Sequence, residues 1–155
     1  MHRHTERRVL PFTPAQMYDL VADIEKYPLF LPWCSGARIR ERRDNLVVAD
    51  LMISFKIYRE RFTSKVTLLA PDRIDTVFSE GPFKHLQNRW VFLPDPGGCL
   101  VDFFVEFEFK SKILDALISV LFNEAVHRMV KAFEGRAQTL YGRGGAPVAS
   151  GLVAR

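Results

Sequence analysis

Cys34 and His85 are the side chains in this sequence best suited to nucleophilic chemistry, a thiol with an imidazole to take its proton. Nothing in their spacing orders them as a pair, and a lone cysteine is more often a small buried hydrophobe. His2, His4, His85 and His127 fall at no ligand spacing with cysteines or carboxylates, so no metal site is expected. Asp50 and Glu60 stand in segments that alternate like strands, where an inward carboxylate can accept a ligand hydrogen bond. A carboxylate at a strand edge in water is the commoner outcome. No Gly-rich phosphate loop, serine elbow or paired-acid motif occurs. The residues point to binding, and no catalytic residue is assigned.

The apolar residues are more informative. Residues 27–34 read Tyr-Pro-Leu-Phe-Leu-Pro-Trp-Cys. Pro28 and Pro32 stiffen this loop and discourage helix. It presents Leu29, Phe30, Leu31 and Trp33, more apolar surface than a solvent loop shows. The loop is either the wall or entrance of a cavity, or a buried corner closing the core. The chain also holds 13 Phe, about twice what ordinary globular composition supplies. Phe83, Trp90, Phe92 and Phe103 are placed to line a tunnel, faced by Leu117, Leu121 and Met129. The same residues would also make a dry core, and composition does not separate the two.

The elements that must position these residues follow from periodicity. Alternation before Pro11 predicts a strand over residues 5–10. Thr13, Pro14 and Gln16 form a capping-box start for a helix carrying Met17, Leu20, Val21 and Ile24 and ending near Tyr27-Pro28. The period then becomes two. Six strands are expected over residues 38–43, 46–55, 58–69, 73–78, 86–93 and 100–109, joined by short turns that imply antiparallel neighbours. In the last, Val101, Phe103, Val105, Phe107 and Phe109 share one face against Asp102, Glu106 and Glu108, so a one-residue slip would bury three carboxylates. Phe104 interrupts the polar face.

Residues 112–141 contain no proline and predict a helix of about 45 Å. Its stripe includes Leu114, Leu117, Leu121, Ala125, Met129 and Phe133. Its first half is apolar almost all round, through Ile113, Ile118, Val120 and Phe122. Such a face must be buried, meet a ligand, or meet a membrane or partner. The fold class is α+β: a seven-stranded curved antiparallel sheet around a long C-terminal helix, with one or two short helices after the first strand. Residues 1–142 form the domain, and residues 143–155 read as a flexible tail.

At 155 residues, 48% hydrophobic and 26% charged, the chain suits one globular domain. Its two cysteines suit a reducing compartment. No apolar run is long enough to span a bilayer, and the first residues lack the apolar stretch of a secretory signal. A net charge of +4 falls well short of a dedicated nucleic-acid domain, and no DNA partner is expected. Arg38, Arg40, Arg42 and Arg43, with Arg59 and Arg61 on a neighbouring strand, form a patch for anionic lipid headgroups or RNA. An ordinary solvated strand face with Glu41 and Glu60 interspersed is the equal alternative.

The stretch Asp23-Ile-Glu-Lys-Tyr-Pro-Leu-Phe-Leu-Pro-Trp-Cys34 carries a resemblance. With Gly81-Pro-Phe-Lys-His-Leu86, Trp90-Val-Phe92, Val101-Asp-Phe103, Phe107-Glu-Phe109, Met129, Phe133-Glu-Gly-Arg136 and Leu140-Tyr-Gly142, it resembles the coenzyme Q-binding START-domain family. That family lies within the polyketide cyclase/dehydrase-like helix-grip superfamily, which includes the ribosome-association toxins. The likeness runs from about Thr5 to Gly142. It implies a helix-grip fold, ubiquinone or a related polyprenyl lipid as bound ligand, and support of respiratory electron transport without a catalytic cofactor. It further implies peripheral contact with the inner membrane or respiratory complexes. The toxin branch implies instead a regulator that binds the large ribosomal subunit and blocks subunit association. The mitochondrial relatives carry a presequence that is not seen here, which suits a bacterial cytoplasmic protein.

Overall fold

The structure, a computed structural model, describes residues 1–55 and 57–142. The expected tail at residues 143–155 lies outside them. Strands β1 (His2–Leu10), β2 (Cys34–Arg43), β3 (Leu46–Phe55), β4 (Tyr58–Leu69), β5 (Arg73–Glu80), β6 (Phe83–Asp95) and β7 (Gly98–Phe109) form one antiparallel sheet. Its order is β1-β7-β6-β5-β4-β3-β2. Helix α1 (Pro14–Ala22) and a 3₁₀ segment (Ile24–Leu29) separate β1 from β2 in the chain, so these two strands become opposite edges. Helix α2 (Lys112–Tyr141) follows β7 and crosses the concave face.

Several strands run longer than their alternation predicts. β1 begins at His2, its ladder with β7 running from Leu10 opposite Cys99 to His2 opposite Phe107. β2 starts at Cys34, β5 reaches Glu80, and β6 spans Phe83–Asp95. The register of β7 is the expected one. Asp102, Glu106 and Glu108 face outward, where Arg7, Arg3 and Lys84 approach at 3.4, 2.6 and 3.7 Å. Gly98 has φ 129°, and a Cβ there would lie 2.3 Å from the Leu10 carbonyl oxygen. The β6–β7 turn can meet β1 only at a glycine.

Thr13 and Gln16 close the expected capping box on α1. The helix stops at Ala22, earlier than predicted, because Asp23 leaves helical geometry and Tyr27 folds back to donate its hydroxyl to the Val21 carbonyl. That bond satisfies a terminal carbonyl which continued helix would otherwise have used. The expected turn after it is the 3₁₀ segment. Ser111 caps α2 by accepting from the Leu114 N–H, and Gly142 ends it at φ 60°.

The core sits at the α1 side. Phe12, Met17, Leu20, Val21, Phe92, Cys99, Val101 and Phe103 pack there under the second half of α2. The buried residues of α2 are Val126, Val130, Phe133 and Ala137. Residues 112–125 contain none. The sheet grips one half of the helix and stands away from the other.

Candidate functional site: an apolar hollow in two chambers

The hollow lies under the first half of α2. An outer chamber of about 340 Å³ is walled by Phe55, Phe83, Phe109, Leu114, Leu117 and Leu121. An inner chamber of about 290 Å³ extends toward Leu31, Trp90, Phe103, Phe122, Met129 and Phe133. Trp33, Ile53, Phe62, Ile118 and Ala125 border both. Each is close in size to a small-molecule site. The outer chamber opens beside the β3–β4 hairpin, where Ile57 is 88% exposed, and beside Ile113, 74% exposed at the start of α2.

The sheet's alternation supplies this lining. On β3, Leu51, Ile53 and Phe55 share a face; on β4, Phe62, opposite Leu51, continues that face with Ser64 and Val66. Gly81 at φ 141° permits the β5–β6 turn to press on the Phe62 wall, since a Cβ there would lie 2.6 Å from the Phe62 Cβ. Trp33 also has a left-handed backbone, φ 66°, unusual for a bulky residue. Its ring meets Phe55 edge-on at 5.6 Å, and the Arg128 guanidinium lies over it.

Polar contacts hold the helix across the gap. Asp115 accepts the Phe109 N–H at 3.0 Å and lies 2.9 Å from the His2 Nε2. The Phe109 amide, helped by His2, holds the Asp115 carboxyl below the usual aspartate range despite partial burial. Farther along, Arg8 joins Glu134 at 2.8 Å and also pairs with Glu6 on its own strand. Both halves of α2 are thereby tied to edge strand β1.

Of the residues singled out from the sequence, Trp33, Phe83, Leu117 and Leu121 line the outer chamber, and Leu31, Trp33, Trp90, Phe103 and Met129 the inner one. Two stand off the hollow. Phe92 is wholly buried beneath Tyr18 of α1, and Phe30 packs edge-on against Tyr27 and Phe133 under Arg136. Both serve the core corner rather than the cavity wall.

The candidate chemical pair does not meet. Cys34 lines the inner chamber, where burial pushes its thiol up, away from the reactive thiolate. His85 faces outward and bonds Glu106 at 2.7 Å. Glu60 borders the outer mouth, whereas Asp50 lies on the opposite, convex face. Asp50 is 1% exposed, and burial alone would raise its pKa. The Thr63 hydroxyl donating at 2.6 Å, Arg38 at 2.9 Å and the charge of Arg40 more than offset this and hold it low.

The arginine patch divides. Arg38 and Arg40 cover Asp50, and Arg59 and Arg61 share their convex face with no carboxylate in ion-pair range among the described residues. A register slip between Ile39 and Glu41 turns Arg42 to the other face, opposite Val47 and 3.8 Å from Glu25. Simple alternation does not foresee that bulge.

Residues 10–134 match the family described as polyketide cyclase/dehydrase and lipid transport. The chain belongs to that family. Its helix-grip, START-like fold is the one expected from the sequence. Among its relatives is the ribosome association toxin RatA of Rickettsia prowazekii, 41% identical over 88% of this chain and 94% of that protein. A mitochondrial coenzyme Q-binding protein homolog of Xenopus laevis is 37% identical over 98% of this chain, which spans 64% of that protein's length. The solution structure of an 18 kDa protein of Caulobacter crescentus is 39% identical, with a TM-score of 0.75 over 92% of this chain and 99% of that one.

Sequence reasoning about this family member missed three small polar residues in the inner chamber: Ser64, Thr76 and Asn88. The signal was present. Each interrupts an inward apolar alternation, between Phe62 and Val66, Ile74 and Phe78, and Leu86 and Trp90. No helix among the described residues is long and apolar enough to cross a membrane.

Proposed function

We propose that the protein binds ubiquinone or a related polyprenyl lipid in the two-chambered hollow and delivers it to membrane-bound respiratory complexes. The observation that carries this reading is the ungripped first half of α2, with largely apolar walls beneath it and the exposed Ile57 and Ile113 beside the mouth. A polyprenyl tail has little but area to offer. At about 25 cal/mol per Å², burying roughly 300 Å² of it yields about 7 kcal/mol before the costs of association. The exposed Ile57 and Ile113 suit peripheral contact with a bilayer while a lipid passes. The Xenopus laevis relative, whose name states coenzyme Q binding, favours the same ligand class. Under this reading the protein acts as a binder, and Cys34 and His85 stand on different faces, the thiol in the inner chamber and the imidazole bonded to Glu106 outside. Native mass spectrometry and solvent extraction of the protein from its own host test this. Co-purifying quinone is expected; neither native quinone nor uptake of added quinone would overturn it.

Arg59 and Arg61 favour a second reading, association with the large ribosomal subunit, in line with the toxin relatives. Under it, the protein co-sediments with ribosomal subunits, and Arg59→Glu with Arg61→Glu abolishes the association. Co-sedimentation unchanged by that double variant, or absent throughout, would count against it.

A further inference from the structure

Ser64 is 2% exposed and borders the inner chamber. Its hydroxyl makes no hydrogen bond with the described residues, an uncommon state for a buried polar group. Thr76 also borders the chamber, and its hydroxyl is likewise unpartnered. Asn88 stands directly opposite Thr76 on β6; its Nδ2 donates to the Phe104 carbonyl at 2.8 Å, which leaves Oδ1 without a partner among the described residues. Thr76 pairs in register with Val66, two residues along β4 from Ser64, so Ser64 lies diagonally from Thr76 on one face, with Asn88 one strand beyond. Ala49, a small residue, lies opposite Ser64 on β3.

A hydroxyl buried without a partner is a standing cost, and alanine or valine would fill these positions more stably. We propose that Ser64 and Thr76, with the Asn88 Oδ1 beside them, anchor an uncharged oxygen-bearing head group, so that the lipid enters head first. This rests on the quinone reading and deepens it. The hydroxyls donate to a carbonyl, and all three groups accept from a hydroxyl, so quinone and quinol are both served. Among the described residues, no lysine, arginine or histidine lines the inner chamber. A carboxylate or phosphate head would lose its hydration there without a counter-charge, and is refused. The tail then runs outward past Ile118 and Leu117 to the mouth between the β3–β4 hairpin and the start of α2.

The test is uptake from neutral phosphatidylcholine vesicles carrying decyl-ubiquinone or squalene, a polyisoprenoid without oxygen. The full chain is re-isolated and its bound lipid quantified. The wild type is expected to half-saturate at lower quinone than squalene. Ser64→Ala and Thr76→Val should each weaken quinone uptake about 3–10-fold, leave squalene uptake unchanged, and not lower the melting temperature. Undiminished quinone uptake in both variants, or equal loss of both lipids, overturns the anchor. A melting temperature lower by several degrees overturns it too, since the hydroxyl would then have a structural partner. Should Ser64→Ala fail to fold, Thr76→Val carries the test. Wild-type protein that takes up neither lipid overturns the lipid reading and the anchor with it; wild type that binds quinone while the variants do too overturns the anchor alone.

Discussion

The Arg128 guanidinium lies 5.4 Å from the centroid of the Trp33 ring, which borders both chambers. This stacking joins α2 to the proline-bounded loop where the helix leaves the sheet. It also fixes a side chain whose own backbone is strained, at φ 66°. An aromatic wall placed by a cation from the opposite element gives the hollow a defined waist.

Arg128→Ala should therefore loosen the waist at little cost to the fold. A cation–π contact at an accessible site is worth about 0.5–1 kcal/mol. The expected result is a loss of that size in urea denaturation, with a shift in Trp33 emission measured in a Trp90→Phe background. An unchanged emission spectrum would show that the stacking does not hold the ring.

The two halves of α2 should respond in opposite ways to substitution. Phe133 is buried among Tyr27, Phe30 and Trp90, so Phe133→Ala should cost about 3–5 kcal/mol. Leu121 borders the hollow, and Leu121→Trp should fill space without overpacking. Its expected signature is an undiminished melting temperature with quinone uptake lowered more than tenfold. A marked fall in stability would mean that the outer chamber is not free volume.

Two of the carboxylates held low contribute to the acid limit. Asp50, held low by Thr63, Arg38 and Arg40 against its burial, and Asp115, held low by the Phe109 amide and His2, each titrate below their unfolded value near 3.8. A lowered native pKa means that the unfolded chain binds protons first as pH falls. Their stabilisation is therefore complete above that value and drains away as pH drops through the native pKa. In Asp50→Asn, the loss of stability between about pH 5 and pH 2 should be shallower than in the wild type, measured by urea midpoints across pH.

Gly81→Ala should destabilise the chamber wall directly. The new Cβ would crowd Phe62 at 2.6 Å in a left-handed backbone region. A cost of about 1–3 kcal/mol is expected, with reduced lipid uptake at temperatures where the variant is still folded. A wild-type midpoint would mean that the turn relaxes freely.

Much of this protein is legible residue by residue because its signals are local. The capping box at Thr13 and Gln16, the alternation of β7 and the proline-free run of α2 each state an element, a face and, for α2, both ends. Alternation also marked Ser64, Thr76 and Asn88 as misfits on apolar faces, although their meeting in one chamber depends on strand order. The turn of Arg42 away from Arg38 depends on one bulge, and the early stop of α1 on a hydroxyl from Tyr27 reaching back.

What the amino-acid order determined alone is which faces are apolar and how long each element runs, since those follow from periodicities of two and 3.6. Only the tertiary structure decided that the apolar surface exceeds what packing consumes. Phe92 and Trp90 are the same kind of residue two positions apart on one strand face, yet one is sealed under α1 and the other looks into a chamber. The difference is where α2 packs: its buried residues begin at Val126, the chambers lie beneath the half before it, and that division is written in no single segment.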